Sequence, residues 1–113
     1  MDFIAKEIEA YAENFTRQEG EVLAELNRET CAKVMTPRML SGHLQGQVLR
    51  MFSLMIRPNN ILEIGTYTGY SALCMADGLQ KGGKLITIDV NEELHDMALR
   101  YFSKAGKADR IHP

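Results

Sequence analysis

The sequence predicts an α/β fold in which three N-terminal helices precede a parallel sheet built in the order β-α-β-α-β. Apolar residues recur at helical intervals up to residue 57, and short apolar runs then alternate with helical segments. Strands that alternate with helices of this length are joined by right-handed crossovers and pair in parallel. Parallel sheets are covered on both faces, which fits strands with so few polar positions.

The first three helices are predicted over residues 2–17, about 21–34 and about 43–57. The apolar face of the first is formed by Ile4, Ile8, Tyr11 and Phe15, and the predicted buried stripe of the third by Leu44, Val48, Met51, Phe52 and Met55. Gly20 separates the first two helices, and Pro58 ends the third. We therefore expect a helical segment over residues 1–58 and a separate α/β domain over residues 59–113.

The α/β part begins with a strand near residues 61–66, followed by a helix over residues 70–79 and a second strand over residues 84–90. Asn91 is a candidate N-cap for the next helix, because acidic residues follow it in the first turn. Residues 110–112 have the pattern of a third strand.

The candidate functional motif is Glu63-Ile-Gly-Thr-Tyr-Thr-Gly-Tyr-Ser71, followed by Asp89 at the end of the second strand. Ligands of open α/β sheets bind at this end of the strands. A phosphate-binding loop is excluded because it requires a lysine, and the dinucleotide fingerprint GxGxxG fails because the glycine spacing is GxxxG. Glu63 would repel a pyrophosphate and suits a cationic ligand such as S-adenosylmethionine, which has a sulfonium and an ammonium group. Asp89 can accept hydrogen bonds from ribose hydroxyls, a feature shared with NAD sites.

These motifs, with Met39-Leu-Ser41 and Gly46-Gln47 before them, resemble the caffeoyl-CoA/catechol O-methyltransferase-like family over roughly residues 35–113. The resemblance implies the first half of a Rossmann-like domain that binds S-adenosylmethionine. It implies contacts of Ser41 with the methionine end, of Ser71 with the carboxylate and of Asp89 with the ribose, while Met39 lies near cofactor and acceptor. It also implies that the amino-acid and sulfonium side is lined by Glu63, Gly65 and Thr66.

The family's metal ligands match no position before Pro113. The resemblance therefore implies that a divalent metal, with Mg²⁺ favoured, belongs to a full-length protein about twice as long. We expect this chain to be a truncated N-terminal portion, with no catalytic or metal-binding residue of its own and no activity alone. Without a fourth strand, Ile61, Leu62 and Ile64 would lie at an open apolar edge, which predicts a homo-oligomer.

Composition, charge and cysteine spacing restrict the cellular location and the ligands expected for the protein. The chain has 113 residues, 45% hydrophobic and 25% charged, without an apolar run long enough to span a bilayer or a secretory signal pattern. A formal charge of −2 argues against binding to a phosphate backbone. The two cysteines, Cys31 and Cys74, have no zinc-site spacing, so a reducing cytoplasm is expected.

The predicted full-length function is methyl transfer from S-adenosylmethionine to a hydroxyl of a small aromatic or catechol-like acceptor. Three alternatives remain open. The first is a tRNA hydroxyuridine O-methyltransferase, and the second is a non-catalytic module that binds a cofactor or a partner chain. The third, ranked last on glycine spacing, is half of a dinucleotide-binding oxidoreductase.

Overall fold

A computed structural model describes residues 4–34, 40 and 42–113, and it has the predicted fold class. Three helices come first, and a parallel sheet with two further helices follows. The elements are α1 (Lys6–Asn14), α2 (Glu21–Lys33), α3 (Gly42–Ile56), β1 (Asn60–Ile64), α4 (Tyr70–Ala76), β2 (Lys84–Ile88), α5 (His95–Lys104) and β3 (Ile111–His112). A 3₁₀ turn, Glu92–Leu94, leads into α5.

The sheet has the order β1-β2-β3, with both strand pairs parallel. Residues on one face point into the core, among them Leu85, Ile111 and the register partners Glu63 and Thr87. The opposite face exposes apolar side chains, namely Leu62, Ile64, Ile86 and Ile88. Within the described part of the chain β1 pairs on one side only, so its outer edge is open, as predicted.

The predicted buried stripe of α3 is wrong. Four of its five members are exposed, namely Val48, Met51, Phe52 and Met55, whereas the buried residues of the helix are Gly46 and Ser53. The reason is the close approach of α3 to α4. A Cβ atom on Gly46 would lie 2.8 Å from Cys74 Sγ, so only a residue without a side chain fits there. This packing crosses residue 58, and the division into two domains there stays a prediction.

The apolar face of α1 is also exposed, and no residue of this helix is buried. Tyr11 and Phe15 contact each other with ring centroids 4.7 Å apart. None of the helices within residues 4–34 and 42–113 is long and apolar enough to cross a membrane.

Helix α2 is joined to α5 through Glu29. Its two carboxylate oxygens accept hydrogen bonds from Arg100 Nη1 and Nη2 at 2.8 and 2.7 Å, and Oε1 also accepts one from Tyr101 Oη at 2.8 Å. The hydrogen bonds from Arg100 outweigh partial desolvation and lower the pKa of Glu29 to about 2. A bidentate guanidinium–carboxylate pair is the strongest geometry for such a contact.

Substituting Glu29→Gln is expected to lower the free energy of unfolding by about 1 kcal/mol near neutral pH, a modest effect because solvent screens the pair. The lowered pKa means that the native pair stabilises the fold above the ordinary glutamate pKa. The stabilisation is lost as pH falls from about 4.5 towards 2. Urea unfolding of both proteins across this range measures the difference. A difference that does not shrink on acidification would contradict the assignment.

Candidate functional site

The chain forms a tight bend between β1 and α4, at the carboxyl end of the sheet. Three of its residues have positive φ, namely Gly65 at 100°, Tyr67 at 51° and Gly69 at 96°. Gly65 N donates to Ile88 O at 2.7 Å, which ties the bend to β2. A left-handed tyrosine costs energy that the surrounding structure must offset, and such residues concentrate at functional sites.

Asp89 lies immediately after β2 and orients the bend. Its Oδ2 accepts a hydrogen bond from Tyr67 N at 2.7 Å, and its Oδ1 accepts one from Asn91 N at 2.9 Å. These backbone donors, Asn91 first and Tyr67 next, lower the pKa of Asp89, so the exposed carboxylate is ionised near neutral pH. An ionised carboxylate has about four acceptor sites, and the Tyr67 and Asn91 donors occupy two of them.

Glu63 lies behind the bend and is only 9% exposed. Its Oε2 accepts a hydrogen bond from Ser71 Oγ at 2.5 Å, and its Oε1 accepts one from Thr87 Oγ1 at 2.7 Å. Burial raises the pKa of Glu63, and the two hydroxyl donors partly oppose that rise. Thr87 Oγ1 also lies 2.6 Å from Thr66 Oγ1.

A cleft of about 450 Å³ opens beside the bend. Its wall is formed by the bend, the end of β2 and the start of α5, with the lining residues Thr66, Tyr67, Thr87, Ile88, Asp89, Asn91, Glu92, His95, Ala98 and Pro113. Among the residues that the structure describes, the wall thus contains two acidic side chains, Asp89 and Glu92, and no lysine or arginine.

The predicted site residues occupy different positions relative to this cleft. Thr66 and Asp89 line it, whereas Glu63 and Ser71 are absent from its wall, and Glu63 reaches it through Thr87. Gly65 belongs to the bend and has open space where a Cβ would lie. Met39 and Ser41 lie outside the described residues.

The sequence interpretation assigned no binding role to several wall residues. Thr87 had a detectable signal, since it is a polar residue in an apolar strand, two positions before Asp89. Asn91 and His95 lie four residues apart at the start of α5, and the sequence pattern predicted no binding role for either. The N-cap prediction for Asn91 is confirmed, because its Oδ1 accepts a hydrogen bond from Glu93 N at 3.0 Å.

Within residues 4–34 and 42–113, no three His, Cys, Asp or Glu side chains converge in a way that could hold a metal ion. A divalent metal therefore has no ligand set among the residues that the structure describes.

Sequence comparison identifies relatives of this chain. A family model described as O-methyltransferase matches residues 12–112. Caffeoyl-CoA O-methyltransferase 1 from Eucalyptus globulus is 39% identical over 94 residues, which are 83% of this chain and 38% of that protein. Caffeoyl-CoA O-methyltransferase 1 from Arabidopsis thaliana is also 39% identical over 94 residues, 36% of its length. The chain thus spans less than two fifths of the length of these relatives.

Solved structures show the same fold. An O-methyltransferase from Bacillus cereus in complex with SAH superposes with a TM-score of 0.85 at 28% identity, covering 94% of this chain and 48% of that one. An SAH-bound methyltransferase from Podospora anserina gives a TM-score of 0.85 at 27% identity, covering 95% of this chain and 46% of that one. The family match over residues 12–112, together with these similarities, shows that the chain belongs to the O-methyltransferase family.

Proposed function

We propose that the cleft binds S-adenosylmethionine and that the whole protein transfers its methyl group to a hydroxyl of a small aromatic or catechol-like acceptor. The observation that supports this most directly is the geometry of Asp89. Its carboxylate is held by two backbone N–H groups and still has acceptor capacity facing a cleft of ligand size. Two ribose hydroxyls fit such an acceptor.

The charge of the wall supports S-adenosylmethionine over a pyrophosphate cofactor. Asp89 and Glu92 are both in the wall, and within residues 4–34 and 42–113 no lysine or arginine accompanies them. A pyrophosphate would meet two like charges, whereas a ligand with sulfonium and ammonium groups would meet opposite charges. The relatives' structures with bound SAH are consistent with this choice.

When bound, S-adenosylmethionine supplies an electrophilic methyl group on its sulfonium. The described residues bind and orient the cofactor: Asp89 holds the ribose, and the bend fixes the position of Asp89 through Tyr67 N. The groups that deprotonate the acceptor and hold a divalent metal, with Mg²⁺ favoured, are assigned to the part of the whole protein that the family has beyond this chain. Methyl transfer then depends chiefly on positioning.

Calorimetric titration tests the choice of cofactor. We expect S-adenosylhomocysteine and S-adenosylmethionine to bind with one-to-one stoichiometry and NAD to give no saturable heat. Binding of NAD without binding of S-adenosylhomocysteine would overturn the proposal.

We also propose that the chain self-associates through the open edge and bare face of β1. Ile64 is 84% exposed and Leu62 is 65% exposed, although strands of parallel sheets are normally buried on both faces. The free thiols of Cys31 and Cys74 support a reducing, cytoplasmic setting for this assembly.

The substitution Ile64→Lys is expected to convert a dimer or larger species into a monomer, because a charged side chain at a sheet edge opposes pairing. Sedimentation velocity measures the change. Phe15→Lys is the matched control, since Phe15 directly follows α1, is 77% exposed and belongs to no strand, so it should leave the assembly unchanged. A monomeric parent chain would refute the proposal.

A further inference from the structure

Thr87 is a buried polar residue to which no role has been assigned. It lies on β2 with 1% exposure, opposite Glu63 in the strand register. Its hydroxyl is between two polar groups, 2.7 Å from Glu63 Oε1 and 2.6 Å from Thr66 Oγ1. A buried hydroxyl lowers the stability of the fold unless its hydrogen bonds are satisfied.

Because each hydroxyl has one proton, the donor and the acceptor of each of these hydrogen bonds can be assigned. A hydroxyl has one proton, and Thr87 donates its proton to Glu63. Thr66 must therefore donate to Thr87 across the 2.6 Å contact. Ser71 also donates to Glu63. The protons of all three hydroxyls thus point towards the carboxylate, and Thr66 is left with only lone pairs for the cleft that it lines.

The direction of these hydrogen bonds determines which ligand groups the cleft wall attracts. A chain of hydrogen bonds ending on a carboxylate is polarised, so the outermost oxygen becomes a stronger acceptor. Glu63 itself is absent from the cleft wall, and its negative charge acts there through Thr87 and Thr66. A positively charged N–H donor is the ligand group that gains most from such an acceptor.

We propose that Thr87 is a positioning residue that keeps Thr66 an acceptor, so that the cleft wall binds the ammonium group of the cofactor. This inference rests on the proposed function. Without the Thr87 hydroxyl, Thr66 is free to rotate and to present its proton to the cleft, and Glu63 loses one of its two donors.

The test compares two ligands by calorimetry. S-adenosylhomocysteine has the ammonium group, whereas 5′-methylthioadenosine has the same nucleoside and a thioether but no amino-acid part. In Thr87→Val, affinity for S-adenosylhomocysteine is expected to fall about tenfold, while affinity for 5′-methylthioadenosine changes less than about twofold. Thr87→Ser keeps the hydroxyl and should restore the parent affinities.

Thr30→Val is the matched control. Thr30 is fully buried and its Oγ1 donates to Leu26 O at 2.7 Å and contacts Thr68 Oγ1 at 3.2 Å, away from Glu63. This variant removes a comparable buried hydroxyl and should leave the ratio of the two affinities unchanged. A purely structural role for Thr87 would make both variants behave alike.

Thr66→Val probes the same bond from its other end if Thr87→Val does not fold. Thr66→Val should also lose affinity for S-adenosylhomocysteine and not for 5′-methylthioadenosine. The double variant Thr66→Val/Thr87→Val should bind S-adenosylhomocysteine no more weakly than the weaker of the two single variants. Equal losses of affinity for both ligands, or no loss for either, would overturn the proposed role of Thr87 but would leave the proposed function standing. If the parent chain binds neither ligand, the proposed function fails, and this inference fails with it.

Discussion

Replacing Gly78 by alanine is expected to lower the free energy of unfolding by about 3 kcal/mol, the largest stability effect that we predict for a single methyl group. Gly78 lies just beyond α4, against α3. A Cβ atom there would lie 2.1 Å from Ser53 Oγ and 2.3 and 2.4 Å from the backbone carbon and oxygen of Ser53. Because backbone atoms cannot rotate aside as a side chain can, α3 and α4 would have to separate.

Chemical denaturation monitored by circular dichroism measures this change. Gly20→Ala is the matched control, because a Cβ on Gly20 has no neighbour within 4 Å and its φ is −68°. It should cost less than about 1 kcal/mol, the effect of a weaker N-cap on α2. Similar losses for the two variants would show that α3 does not pack on Gly78 as described.

The substitution Asp89→Asn is expected to weaken binding of S-adenosylhomocysteine by about a hundredfold or more. Two hydrogen bonds to a charged acceptor contribute about 1.5–3 kcal/mol each. An asparagine has the same shape but only one acceptor oxygen, so its NH₂ group must face either a ligand hydroxyl or one of the backbone donors, Tyr67 N and Asn91 N. Calorimetry measures the loss, and circular dichroism checks the fold.

Asp96→Asn serves as the control, since Asp96 is an exposed acid in the first turn of α5 and is not in the cleft wall. It should bind as the parent does. The lowered pKa of Asp89 keeps this carboxylate ionised below the ordinary range of an aspartate. Because burial raises the pKa of Glu63, Glu63 is protonated at a higher pH than Asp89 as the solution is acidified. Parent-like affinity in Asp89→Asn would remove the basis for the ribose site.

The sequence was sufficient for the features that depend on local chemistry. Apolar runs predicted β1 and β2, and the acids after Asn91 predicted Asn91 as an N-cap. Each of these depends on a few neighbouring residues, so periodicity and turn chemistry suffice.

Features that depend on the distance between elements were not predictable in the same way. The packing face of α3 is set by Gly46 and Ser53, and the helical apolar pattern assigns burial to larger side chains instead. The environment of Glu63 depends on the strand register that places Thr87 opposite it. The sequence alone does not show that these two residues lie opposite each other on neighbouring strands.

Phe102 of α5 supports the bend from behind. A Cβ on Gly69 would lie 2.6 Å from its Cε1 atom and 3.0 Å from its Cζ atom. The ring fills the space that a side chain at position 69 would need, and it is fully buried. A residue of α5, distant in the sequence, thus packs against the bend at Gly69. Removing the Phe102 ring would leave an empty space beneath the bend whose Tyr67 N–H binds Asp89.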